Sequence, residues 1–247
     1  MESILGIQVK KQSKGDILDK IIKYTVNPRG FFHIVSLNPE NLVIAHNEEL
    51  FKRVINTAQI KIVDGIGIVI AGQILGIKVG ERLTGVDLMT KLVKMASEGR
   101  LRVVLIGGEG NLALRLAQCY NSLYPKAKFV GMEGIKDIHR PKESEEDKVF
   151  SIVSDIKPHI ILVSFGSPFQ EIWLWKHRKR LNGILCMGVG GAFDYLAGTI
   201  RRAPTLIRYL GLEWFYRLVR QPWRWRRQLR LIEFMSLVLK EKWKKTF

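Results

Sequence analysis

The chain is poor in the residues and motifs that mark the best-known enzyme sites. It has two cysteines, Cys119 and Cys186, without metal-ligand spacing, one in a predicted helix and one in a predicted strand. They read as buried thiols of a reducing compartment rather than a disulfide or zinc framework. The five histidines are dispersed and no Asp-x-Asp occurs, so a divalent cation lacks the clustered oxygen ligands it needs, and no metal or other cofactor is expected. There is no G-x-G-x-x-G and no P-loop, which removes the signatures of hydride transfer and nucleotide hydrolysis. A G-x-S-x-G elbow is missing as well, which counts against a hydrolase of that type. The N-terminal stretch MESILGIQVKKQSKGD has no apolar core of a signal peptide. The longest apolar run, residues 66–77, contains Gly72 and Gln73 and is too short to span a bilayer, so any membrane contact is expected to be peripheral.

What is present is hydrophobic content and positive charge. With 247 residues and 47% hydrophobic composition the chain can bury a sizeable core, as one large domain or one domain with an appendage. Its formal charge is +17, which calls for a polyanionic partner: nucleic acid, an anionic membrane surface, or phosphorylated substrates. The charge is unevenly placed. Residues 201–247 hold 13 Lys and Arg against 3 Asp and Glu, and residues 1–200 hold 27 against 20. The tail therefore carries the partner question.

Short apolar runs at 31–35, 60–63, 101–106, 129–132, 160–165 and 184–187 read as buried strands, with a further short strand within 4–9. Helical spacing separates them at 16–26, 39–56, 66–75, 85–97, 111–124, 143–156 and 168–180. This alternation predicts an α/β fold: a mostly parallel, roughly six-stranded Rossmann-like sheet with helices on both faces. From about residue 205 only helices follow, broken at Pro222. In the second of them Trp225, Leu229, Ile232, Met235 and Leu239 share one face, with Arg226, Arg227, Arg230 and Lys240 beside or opposite it. Four of the six Trp lie in this tail, and Trp with Arg on an amphipathic helix suits a membrane interface. The expected division is an α/β domain over 1–204 and a basic helical appendage over 205–247.

Residues 158–204 are where chemistry is expected, because two strands there end in Gly-rich turns beside Gln170, Glu171 and Asp194, and α/β sheets bind ligands outside the carboxyl ends of their strands. Asp64 directly follows another strand, with Gly65 and Gly67 leaving room beside it. It can be a general base acting on a hydroxyl, or the N-cap of the helix starting near Ile66. Ser36 and Asn38 end a further strand and offer hydroxyl and amide groups, although Asn38 can equally be a cap before Pro39. Arg82, in a polar turn, can offset phosphate charge or be a solvated loop residue. Gly107 and Gly108 open a strand–turn–helix whose amides could meet phosphate.

Several stretches together resemble the WecG/TagA/CpsF glycosyltransferases: IVSLNPE, VDGIGIV, ERLTGVDLM, GSPFQEIW, GVGGAFDYLAGTIRRAP, GLEWFYRL and PWRW, in family order over roughly residues 5–230. The resemblance implies a bacterial hexosyltransferase of the TagA type that moves a sugar, N-acetylmannosamine favoured, from a UDP-sugar to a polyprenol-diphosphate-linked N-acetylglucosamine, with inversion and without metal. It implies Asp64 as base, Ser36 nearby in place of a threonine, Gln170 at the sugar and Arg82 in the active site. It places Arg217, Arg224 and Arg227 on the lipid diphosphate. Gln221 stands where the family often has Glu, and residues 232–247 have no counterpart. Peripheral attachment to the cytoplasmic face of the plasma membrane follows, with oligomeric state open. Alternatives are the same family with a uronic acid or hexose donor, a basic nucleic-acid-binding module, or a sugar-nucleotide sensor without turnover.

Overall fold

The computed structural model describes residues 2–222 and 225–246, apart from the side chains of residues 226–228 and 246. A two-stranded antiparallel hairpin, β1 (Ser3–Ile4) and β2 (Ile7–Gln8), replaces the single strand expected at 4–9, because Leu5 and Gly6 both take positive φ and reverse the chain. Six strands then form one parallel sheet: β3 (Phe32–Leu37), β4 (Ile60–Val63), β5 (Arg102–Gly107), β6 (Lys128–Met132), β7 (Ile160–Ser164) and β8 (Leu185–Gly188). Their order is β4-β3-β8-β7-β5-β6. The first pair thus builds outward one way and the second pair the other way. The last two strands, from the stretch 158–204, close the gap between them.

The central strands are buried on both faces because helices cover both sides of the sheet. Ile34, Ile62, Leu105, Leu162 and Met187 face α1 (Lys14–Val26), α5 (Gly85–Glu98), α6 (Leu112–Leu123) and the short α9 (Ala192–Leu196). Val35 and Val63 face α2 (Pro39–Asn47), α3 (Glu49–Thr57) and α4 (Ile66–Leu75), while Ile106, Ile161 and Val163 pack with α7 (Glu143–Ile156) and α8 (Phe169–Lys176). As its sequence implies, α2 carries Pro39 at its first turn and is capped by Asn38, whose side-chain oxygen accepts from the Asn41 amide at 2.9 Å.

The single helix expected over 39–56 is two, broken at an extended Glu48. Four consecutive residues of α2, from Leu42 to Ala45, are buried, whereas α3 buries only the stripe Phe51, Val54 and Ile55. One straight rod cannot present both patterns to the same core. The helix expected to reach residue 180 ends at Lys176, and His177 beyond it turns its ring to Glu146, with Nε2 2.9 Å from Oε1. Cys186 is buried as expected, but Cys119 is exposed: α6 turns Leu116, Ala117 and Tyr120 inward, leaving Cys119 on its outer face.

The C-terminal part consists of α10 (Thr205–Tyr209), α11 (Glu213–Arg220) and α12 (Trp225–Thr246). α12 lies against α2 and α4, burying Phe234 and Val238 completely. Arg230 pairs with Glu40 at 2.6 Å, and Glu241 accepts from the Leu5 amide at 2.8 Å. Of the face read from the sequence, Met235 is partly buried on this core, while Trp225, Leu229, Ile232 and Leu239 are exposed.

Candidate active site

The carboxyl ends of β3, β4, β5, β7 and β8 open into one cleft of about 1700 Å³, walled on its far side by α11 and α12. Sites for one small ligand are typically on the order of 300–1,000 Å³, so this cleft has room for two substrates together. Ser36, Asn38, Asp64, Arg82, Gly107, Gly108, Gln170, Asp194 and Arg217 all line it. Of the remaining sequence candidates, Arg224 and the side chain of Arg227 lie outside the described residues.

Asp64 sits at the end of β4, its amide donating to the Leu37 carbonyl at 2.8 Å. It does not cap α4. Gly65 is at that position, with φ +128, and no side chain caps the helix. The Asp64 carboxylate instead accepts the Gly85 amide from the start of α5 at 3.1 Å. Burial pushes its pKa up to about 6; the Gly85 amide acts against this, Glu213 and Asp87 add to it, and Arg82 opposes it. A Cβ on Gly85 would sit 3.4 Å from both Asp64 Oδ2 and Ser36 Oγ, so carboxylate and hydroxyl flank the same point of the floor.

The glycines of β8 and its turn make room for functional side chains. A Cβ on Gly188 would lie 2.7 Å from the Gln170 side chain, and one on Gly191 would lie 2.6 Å from a nitrogen of Arg217. Gln170 is held at both ends: its oxygen accepts the Gly190 amide at 3.2 Å and its nitrogen donates to Glu171 Oε1 at 2.7 Å. The Arg217 guanidinium lies 4.9 Å from the centre of the Tyr195 ring, and its Nε donates to Gln221 at 3.3 Å.

Glu171 is 1% exposed, and burial raises its pKa above the usual carboxylate value. Its hydrogen-bond partners suit the neutral form. The Ser167 hydroxyl lies 2.9 Å from both Glu171 Oε2 and Asn41 Oδ1, and it has one proton for two acceptors. Asn41 cannot turn its amide around, because its nitrogen already donates to the Ser36 carbonyl at 2.9 Å. The count closes when Glu171 is neutral and donates to Ser167, which then donates to Asn41. Glu171→Gln, which mimics the neutral acid, is expected to keep turnover within about threefold, whereas Glu171→Ala leaves buried partners unsatisfied at a cost of about 1–3 kcal/mol. Steady-state rates and thermal melts of both variants check this.

Two sequence candidates that line the cleft also have partners within the protein. Arg82 donates to the Arg208 carbonyl, tying the turn before α5 to α10. The Gly108 amide is taken by the Ser164 carbonyl at 3.0 Å, so the turn offers the cleft space more than that donor. Arg202 was not singled out in the sequence, yet it joins Asp87, Thr84 and Glu213 beside the floor. Nothing but its place in GTIRRAP marks it among the 40 Lys and Arg.

A comparison with known families shows which family the chain belongs to. Residues 2–247 match the model of the glycosyl transferase WecG/TagA/CpsF family, so residues 232–247, expected to lack a counterpart, have one in the family. The chain belongs to this family. It is similar to the N-acetylglucosaminyldiphosphoundecaprenol N-acetyl-β-D-mannosaminyltransferase of Bacillus subtilis strain 168, 28% identical over 247 residues that span 100% of this chain and 94% of the relative. The enzymes of the same name from Bacillus spizizenii and Staphylococcus aureus strain NCTC 8325 are each 29% identical, covering 88% and 87% of this chain and 82% of their own lengths. As a WecG/TagA/CpsF glycosyltransferase, the chain is a sugar-transferring enzyme, and the cleft at the strand ends is its candidate active site.

Proposed function

We propose that the chain transfers N-acetylmannosamine from a UDP-linked donor to N-acetylglucosamine carried on a polyprenol diphosphate, with Asp64 as the base. The observation that carries this reading is the Asp64 carboxylate at the floor of a two-substrate cleft, set beside the Ser36 hydroxyl, in a chain matched along its length by N-acetylmannosaminyltransferases. Asp64 takes the proton of an acceptor hydroxyl while that oxygen forms its bond to the anomeric carbon. The bond from that carbon to the nucleotide diphosphate breaks on the opposite face, so the centre inverts. The diphosphate leaves with the electron pair, and its charge is met by Arg217 and by the C-terminal arginines. Gln170, pinned at both ends, orients the sugar.

Because Asp64 works as a base only when ionised, kcat/KM, which reports the free enzyme, is expected to rise with pH through about pH 6 to a plateau and to fall about tenfold per unit well below it. UDP release from a panel of UDP-sugars, measured with and without a lipid-diphosphate-linked N-acetylglucosamine, tests the reaction. Acceptor-dependent release from one donor supports the reading, and acceptor-independent release sinks it.

In this reading residues 1–204 carry the chemistry and residues 205–247 meet the lipid. Among the described residues no helix is long and apolar enough to cross a membrane. The C-terminal helices expose Leu206, Tyr209, Phe215 and Val219 together with Trp225, Ile232 and Trp243, amid basic side chains, a surface suited to an anionic bilayer interface. The double variant Ile232→Glu, Trp243→Glu is expected to weaken sedimentation with anionic phospholipid vesicles by about tenfold or more. Unchanged sedimentation would remove these helices from the contact.

A further inference from the structure

Between α9 and α10 the chain carries two adjacent arginines, and the second turns inward. The Arg202 side chain is 22% exposed and uses three nitrogens on three partners. Nη1 meets Asp87 Oδ1 at 2.7 Å, Nε meets Glu213 Oε1 at 3.1 Å, and Nη2 donates to Thr84 Oγ1 at 3.1 Å. Thr84 is the N-cap of α5: its hydroxyl oxygen accepts the Asp87 amide at 3.2 Å and lies 2.7 Å from Asp87 Oδ2. The next residue is Gly85, whose amide holds the Asp64 carboxylate. One guanidinium thus grips the cap of α5, a carboxylate in its first turn and the opening residue of α11, one residue away from the group that fixes the base.

The charged groups around Asp64 make this grip electrostatically consequential. Arg82 faces it from the turn before α5, Asp87 from α5 and Glu213 from α11. Arg208, from α10, acts on Asp87, while α2 brings Glu40, already paired with Arg230 of α12. β3 offers the uncharged Ser36, and α4 begins with Gly65 and Ile66. Asp87 and Glu213 are therefore the two anions facing the base, and both have Arg202 as their ion-pair partner.

We propose that Arg202 is a positioning residue for the transfer reaction: it is the shared counter-ion of Asp87 and Glu213, and it fastens the start of α11 to the helix whose first amide holds Asp64. This rests on the reading of Asp64 as the base. With Arg202 in place, one positive charge offsets part of the negative charge of the two carboxylates, and α11, which carries Arg217, is docked over the cleft. Without it, two uncompensated anions face Asp64 and favour its protonated form, as like charges do.

The test is the pH profile of kcat/KM for the UDP-sugar, measured with lipid-linked acceptor, for the full-length wild type, Arg202→Gln, Glu213→Gln and the double variant. Arg202→Gln is expected to move the acid limb upward by about one pH unit. The double variant, with one of the two anions discharged, is expected to move it back towards wild type. Glu213→Gln alone keeps Arg202 on α5 and should move the limb downward, which keeps the test usable if Arg202→Gln does not fold. A uniform loss of rate with the limb unmoved in Arg202→Gln, or no movement in Glu213→Gln, would reduce Arg202 to a structural tie and overturn the proposal. Failure of the underlying reading shows separately, as full activity of Asp64→Asn.

Discussion

Asp64→Asn is expected to lower kcat by about 10²–10⁴-fold, the range for removing a positioned general base, while leaving the protein folded. Asparagine preserves the shape and can still accept the Gly85 amide through its side-chain oxygen, so the floor of the cleft keeps its geometry. The same substitution carries a second, opposite signature. The folded protein holds the Asp64 proton up to about pH 6, whereas an unperturbed aspartate releases it near 3.8. Between those values the folded state binds more protons than the unfolded one, so stability contributed by the protonated form falls as pH rises through this window, and the penalty persists above it. Asparagine cannot ionise and avoids that penalty. At pH 8 the variant should therefore melt at or above the wild-type temperature while failing to release UDP. A dead enzyme that melts lower would point to a damaged fold instead, and a fully active one would remove Asp64 from the chemistry.

Phe234→Ala is expected to cost about 3–5 kcal/mol, the range for emptying a fully buried aromatic site, and to lower Tm by roughly 10 °C in a chain of this size. Phe234 and Val238 are both 0% exposed, and they share a core with Val35, Leu42 and Ile68 of the sheet and its helices. Ile232 on the same helix is 69% exposed, and Ile232→Ala should change stability by no more than about 0.5 kcal/mol. Thermal melts of the pair decide whether α12 is integral to the α/β core or merely attached to it. Equal melting temperatures for both variants would mean that the helix adds nothing to the folded core.

These two residues show where sequence reading reaches and where it stops. On α12 the period of 3.6 picks out Trp225, Leu229, Ile232, Met235 and Leu239, because they are large and fall on one side. Phe234 and Val238 belong to a second apolar stripe, which gains meaning only when α2 and α4 present a surface to receive it. Periodicity reports that a helix has an apolar face, and it cannot say which of two faces meets protein and which stays exposed. At Asp64 the sequence leaves base and helix cap open because both uses place a carboxylate after a strand and before a helix. The structure removes the cap: Gly65 holds that position, and the Asp64 carboxylate takes the amide of Gly85, 21 residues away. The α2–α3 break at Glu48 and the exposure of Cys119 have the same origin, since both depend on what packs against a helix.

What the sequence determined by itself is the alternation of strand and helix, hence a parallel sheet with covered faces, together with the motifs that carry the family and most of the residues lining its cleft. These are local properties: apolar runs, turn glycines, caps and short motifs need no distant partner to be read. Tertiary structure alone decided the strand order, which brings the ends of β3, β4, β7 and β8 to one opening. It also decided the use of Gly188 and Gly191 as space for Gln170 and Arg217, and the place of Arg202 beside Asp87 and Thr84, which lie far from it in the chain. Hydrogen bonds, desolvation and charge pairing act over a few ångströms regardless of separation along the chain, so these assignments exist only once the sheet has brought distant residues within that range.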